Sequence, residues 1–144
     1  MKTTHPPQIL RALLVIGFVG TTAVALAQNK AVGFTPGENY SDGYIAGNTL
    51  YVAGQQGANI KDTDITEQTT SAIATVKTVV EHAGFRMADI VSVTIYVTSL
   101  DDVPAMNAVY KKLLPDPKPA RATVQVAGLI GGAKIEMTAI AVKH

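Results

Sequence analysis

Two runs of alternating apolar residues near the C-terminus constrain the fold of this chain more than any other feature of its sequence. RATVQVAGL begins at Arg121 and KIEMTAIAV begins at Lys134, and both repeat with the period of two that is typical of a half-buried β-strand. The glycines of GLIGG lie between the two runs. The pattern therefore predicts a C-terminal β-hairpin, and with it a fold that contains a sheet.

Upstream of this hairpin, the sequence predicts two short strands and a helix. The strands cover residues 44–46 and 49–53 and flank a Gly-Asn pair that suits a tight turn. Asp64, followed three residues later by Glu67, is typical of a helix N-terminus, and Gly84 marks the end of the helix. Apolar residues recur at helical spacing between these two signals, which predicts one buried helix face.

The middle of the chain predicts a central strand and a second helix. ADIVSVTIYVTSL is rich in β-branched residues and apolar on both faces, which favours a strand inside the sheet. The second helix is predicted from Asp101-Asp102 to Pro115, and residues 28–39 are predicted to form an arm or irregular strand. The order ββ-α-β-α-ββ predicts one α+β domain over residues 28–144, with two helices on one face of a mixed sheet.

The first 27 residues predict a signal peptide. Lys2 and Arg11 form a basic region, an uncharged apolar run follows, and Ala25-Leu26-Ala27 ends it with small residues. An uncleaved membrane anchor is the alternative, but as a helix the apolar run would rise only about 24 Å, against a hydrocarbon core of about 30 Å. We therefore expect cleavage after Ala27 and a periplasmic or secreted protein with no membrane attachment after cleavage.

Composition argues against several classes of function. The chain has 12 Lys+Arg against 11 Asp+Glu, and without Lys2 and Arg11 the remaining 10 against 11 leave a net charge of −1. No basic run suggests nucleic-acid binding. The chain has no cysteine, and its histidines at 5, 82 and 144 lack ligand spacing, so no metal site is predicted. His82 follows Glu81 near Lys77 and is predicted to lie on a solvated helix end.

Arg121 and Glu136 are the candidate chemical groups of the predicted hairpin. Spacing alone fits a surface cation with Glu136 as its partner or as a solvated side chain. However, Pro119 restricts the backbone at the strand entry just before Arg121, so ordering the arginine costs little conformational entropy. Its planar guanidinium suits bidentate binding of a carboxylate. A nearby glutamate can orient or deprotonate a water molecule. Both interpretations fit the residues.

PARATVQVAGL, IGGAK and IEM together resemble the signature of the RidA/YjgF family of reactive enamine/imine deaminases, which also carry the label L-PSP endoribonuclease. NYSDGYIAGNTLYVAGQ is similar to the family's first hairpin, and the stretch from TTSAIATVK to DDVPAMNAVY to its helices and central strand. The resemblance covers about Gly37 to Lys143. It implies a chorismate-mutase-like fold, a homotrimer with active sites between subunits, imino-acid substrates and no cofactor.

The resemblance also implies roles for individual residues. Arg121 matches the arginine that binds the substrate carboxylate, and Glu136 matches the glutamate that holds or activates water. The other positions that match the substrate pocket are Tyr40, Gly54, Asn107 and Thr123. Ala53 and Val103 depart from the serine and the aromatic residue that many members carry, which leaves the identity of the imine open.

Three functions are consistent with these residues. Hydrolytic deamination of 2-imino acids to 2-oxo acids and ammonia is the first. A trimer that binds small carboxylates without turnover is the second. Endoribonuclease activity is the third, and the net charge of −1 and the absence of a histidine pair argue against it.

We predict that the mature chain begins at Gln28 and lies outside the cytoplasm, because residues 1–27 have the three regions of a cleaved leader. Mass spectrometry of the protein from fractionated cells measures its N-terminus and its compartment. An intact N-terminus in the cytosol would contradict the prediction.

Overall fold

A six-stranded mixed sheet forms one layer of the protein, and two helices form the other, which confirms the predicted α+β class. The computed structural model describes residues 29–57, 60 and 63–143. In chain order the elements are β1 (Lys30–Val32), β2 (Gly43–Ala46), β3 (Thr49–Gln55), α1 (Ile65–His82), β4 (Ile90–Val97), α2 (Val103–Leu113), β5 (Ala120–Gln125) and β6 (Ile135–Val142). The predicted leader lies outside the described residues.

The strand order β1-β2-β3-β6-β4-β5 shows that the predicted C-terminal hairpin is wrong. β6 pairs with β3 and β4, antiparallel to both, whereas β5 pairs with β4 in parallel and forms the edge of the sheet. The physical reason is burial: Ile135, Met137, Ala139 and Ala141 are at most 3% exposed, so β6 needs a neighbour on each side. The predicted interior position of β4 is confirmed, because it lies between β6 and β5.

The core lies between the helices and one face of the sheet. α1 begins as predicted, because the Asp64 carboxylate accepts a hydrogen bond of 2.8 Å from the backbone N–H of Glu67. Gly84 follows its end with a φ of 78°, a conformation that favours glycine. α2 begins after a 3-10 turn, with a proline in its first turn. Within the described part of the chain, neither helix is long and apolar enough to cross a bilayer.

A bulge in β3 changes which residues face the helices. The register with β6 shifts between Val52 and Gln55. Both side chains are buried, at 5% and 7% exposure, so inward positions fall three residues apart instead of two. Gln55 therefore faces the core and donates to the Asp42 carbonyl at 3.4 Å. Gly54 consequently faces the opposite side of the sheet, which carries no helix.

We predict that Asp64→Ala lowers the free energy of unfolding by about 1 kcal/mol, because it removes the hydrogen bond that caps α1. Asp102 provides a matched control: it occupies the N-cap of α2, but its side chain forms no capping hydrogen bond. Denaturant unfolding at one protein concentration measures both variants. An equal loss for Asp64→Ala and Asp102→Ala would contradict the assigned role of Asp64.

Candidate active site

Glu136 lies in a cavity on the face of the sheet that carries no helix. Its neighbours Ile135 and Met137 are buried toward the helices, so strand alternation directs Glu136 the other way. The cavity has a volume of about 380 Å³. Its lining residues are Tyr40, Ala53, Gly54, Gln55, Gln56, Ile130 and Glu136. The structure therefore brings together three of the predicted site residues: Tyr40, Gly54 and Glu136.

Gly54, within the β3 bulge, and Gln56, just after it, surround the Glu136 carboxylate. The Gln56 side-chain amide donates to Oε2 at 2.8 Å. Gly54 leaves the space that the other oxygen occupies, because a Cβ atom at residue 54 would lie 2.3 Å from Oε1. Gly54 thus contributes by the absence of a side chain, rather than through a contact of its own side chain with a ligand.

The mouth of this cavity is aromatic and aliphatic. The Tyr40 side chain is 64% exposed and Ile130 is 86% exposed. Ala53, which departs from the serine expected of the family, lines the wall, whereas Val103 packs against the core and is not among the lining residues. Of the described residues that line the cavity, none carries a positive charge. A substrate carboxylate therefore needs a cation from elsewhere.

Arg121 provides a positioned cation, but on the other face of the sheet. It pairs with Val93, which pairs with Ala139, and both of those residues are buried toward the helices. Its guanidinium carbon lies 4.7 Å from the centroid of the Tyr110 ring, a distance typical of a cation–π contact. The side chain is exposed, and among the described residues it forms no salt bridge. The surface pair with Glu136, one of the alternatives that spacing alone left open, is not formed.

Three polar atoms on α2 and β5 are buried without a hydrogen-bond partner among the described residues: Asn107 Oδ1, Tyr110 OH and Thr123 Oγ1. Thr123 lies two residues after Arg121 on the same face of β5, and Asn107 precedes Tyr110 by about one helical turn on α2. Burial raises the pKa of the Tyr110 phenol, and the charge of Arg121 partly opposes that effect. The phenol is therefore a neutral donor at pH 7.

The structure thus divides the predicted site residues into two half-sites. The glutamate half-site contains Tyr40, Gly54 and Glu136, and the arginine half-site contains Arg121, Thr123 and Asn107. Within one chain the sheet separates them, because Glu136 shares its row with Tyr96 and Val124 on the face without helices. The glutamate half-site contains the acidic Glu136 and the arginine half-site contains the basic Arg121.

Sequence reasoning missed Gln56 and the contact made by Tyr110. Gln56 follows a strand in GQQG, where the sequence predicts a loop, and only the bulge reveals which way it faces. Tyr110 lies in the predicted second helix, but helical spacing does not show which residue its ring contacts. A larger groove of about 470 Å³ between α1 and α2 contains none of the predicted site residues.

Known proteins resemble this chain in sequence and in structure. A 2-iminobutanoate/2-iminopropanoate deaminase of Dermatophagoides farinae is 38% identical over 108 residues, which are 72% of this chain and 84% of the relative. The enzyme of the same name in Escherichia coli strain K12 is 36% identical over 112 residues, 73% of this chain and 88% of the relative. The crystal structure of the YjgF gene product from Escherichia coli superposes with a TM-score of 0.70 at 35% identity, over 79% of this chain and 94% of that chain.

The sequence model of one family matches residues 31–143, almost the whole described part of the chain. That family is described as Endoribonuclease L-PSP. The match includes both half-sites and confirms the resemblance drawn from the PARATVQVAGL and IEM motifs. The chain therefore belongs to the Endoribonuclease L-PSP family, which includes the RidA and YjgF proteins.

Proposed function

We propose that this protein hydrolyses 2-imino acids to 2-oxo acids and ammonia. The observation that carries the proposal is the exposed Arg121 guanidinium, which is held against Tyr110 and has no carboxylate partner among the described residues. Such a group is available for bidentate binding of a substrate carboxylate. The names of the relatives from Dermatophagoides farinae and Escherichia coli support the same reaction.

The reaction requires little beyond binding and a base. A water molecule adds to the electrophilic imine carbon, the C=N electron pair moves to nitrogen, and Glu136 takes the proton that water loses. The resulting carbinolamine then expels ammonia and leaves a 2-oxo acid. Asn107 Oδ1 and Thr123 Oγ1 have no hydrogen-bond partner among the described residues, but both atoms are buried, so either one must become accessible before it can bind a substrate.

The division of the site supports a closed oligomer. A substrate that reaches Arg121 and Glu136 together must lie between two copies of the chain, because one chain holds them on opposite faces of its sheet. The contact joins two different surfaces, and such heterologous contacts generate rings when they close. We propose the homotrimer that the family resemblance implies, with each site built from two neighbouring chains.

We predict a particle of three chains in solution at micromolar concentration. The edge strand β5 and the face without helices leave Tyr44, Tyr51 and Val124 between 43% and 50% exposed, and apolar surface of this kind usually marks an interface. Light scattering on the purified protein gives the mass. A monomer mass would contradict the prediction and leave the two half-sites apart.

We also predict that Arg121→Lys loses about ten- to a hundredfold in kcat/KM while folding and assembly stay intact. Lysine keeps the charge but not the planar fork, so a two-point grip becomes a single contact. A charge-assisted hydrogen bond of about 1.5–3 kcal/mol corresponds to this range. Imino acids generated by an amino-acid oxidase provide the substrate, and ammonia release or semicarbazone formation gives the rate.

Arg86→Lys is the matched control for this experiment. Arg86 binds Asp89 at 2.6 Å, away from both half-sites, and its hydrogen bond holds the pKa of that carboxyl below its ordinary value. We expect wild-type deaminase activity from Arg86→Lys. Full activity in Arg121→Lys, or an equal loss in both variants, would contradict carboxylate binding by Arg121.

A further inference from the structure

The two oxygens of the Glu136 carboxylate have different surroundings. Oε2 accepts the hydrogen bond of 2.8 Å from the Gln56 amide. Oε1 lies over Gly54, at the place where a Cβ atom of residue 54 would come within 2.3 Å. Among the described residues, Oε1 accepts no hydrogen bond. The carboxylate of a cavity-lining residue therefore has one oxygen held by Gln56 and one oxygen, over Gly54, that accepts no hydrogen bond among the described residues.

The hydrogen bond matters because a glutamate carboxylate rotates easily. Its terminal torsion is broad and roughly two-fold, so without a partner the two oxygens exchange positions. Gln56 is half-buried at the start of the segment that follows β3, and its amide reaches Oε2 from the cavity wall. The other oxygen, Oε1, occupies the space that a side chain at residue 54 would fill. Together these two residues select one orientation of the carboxylate.

We infer that Gln56 is a positioning residue that makes Oε1 the proton acceptor of the reaction, an inference that rests on the proposed function. As the water oxygen bonds to the imine carbon, a water proton moves to Oε1 and the C=N electron pair moves to nitrogen. Oε1 then returns the proton to nitrogen. In the collapse the hydroxyl proton follows the same path, so ammonia leaves and the 2-oxo acid remains.

Gln56→Met tests this role, because methionine has a similar length and shape but donates no hydrogen bond. We expect kcat to fall about tenfold, which corresponds to the loss of one charge-assisted hydrogen bond. KM should stay within about twofold, because Arg121 on the other half-site binds the substrate carboxylate. An unchanged kcat, or a change confined to KM, would overturn the inference.

The same substitution in a Glu136→Gln background separates positioning from general damage. If Gln56 acts through Glu136, adding Gln56→Met to Glu136→Gln should change the residual rate by less than about twofold. The effects of substitutions at two contacting residues that act together do not add. Thermal unfolding of each variant gives the stability readout, and we expect Gln56→Met to match wild type. A further tenfold loss of activity in the double variant would overturn the inference.

A crystal structure of Gln56→Met tests the placement without any assay of activity. We expect the Glu136 carboxylate to move or rotate by more than about 0.5 Å, the tolerance within which catalytic groups must be held. If the carboxylate stays in place, the inference about Gln56 is overturned, whereas the proposed deaminase activity is not. A wild-type protein that does not accelerate imine hydrolysis would instead overturn the proposed function and the role of base with it.

Discussion

The position of β6 between β3 and β4 is the constraint on which the rest of the structure depends. β6 presents four nearly inaccessible side chains to the helices, and it uses both of its edges in antiparallel pairing. β5 pairs in parallel with the edge of β4 that β6 leaves free. That placement takes Arg121 two strands away from Glu136, and the register that pairs Arg121 with Val93 puts it on the opposite face. Strand order and register together determine how the candidate site is divided.

The local patterns of the sequence predict the elements but not their neighbours. The cap at Asp64, the glycine at 84 and the β-branched run of β4 are each decided by a few adjacent residues, and all three are confirmed. The hairpin is wrong because alternation shows that β5 is a strand without showing which strand it pairs with. Residues 126–134, with their 3-10 turn, carry the chain past β4 instead of turning it back onto β5.

Gln56, and the face of the sheet on which Gly54 lies, could not be predicted from the sequence for a related reason. Strict alternation from Leu50 and Val52, which are both buried, would turn Gly54 and Gln56 toward the helices as well. The bulge inserts one step, so Gln55 becomes the buried residue and Gly54 and Gln56 reach Glu136 instead. A shift of one residue exchanges the two faces of a strand, and although a glycine in a strand is typical of a bulge, Gly54 alone does not show where the register shifts.

The two half-sites are complementary in charge, and the charged group of each is held in one orientation. The glutamate cavity has a fixed carboxylate and no cation among its described lining residues, so alone it repels an anionic substrate. The arginine half-site has a cation that would ordinarily sample many rotamers on an exposed edge strand, and the Tyr110 ring restricts it. Both groups are therefore oriented before a substrate arrives, and the cost of ordering them has been met in folding. In the proposed assembly, contact between two chains then has only to bring the glutamate half-site of one chain and the arginine half-site of its neighbour together around the imine.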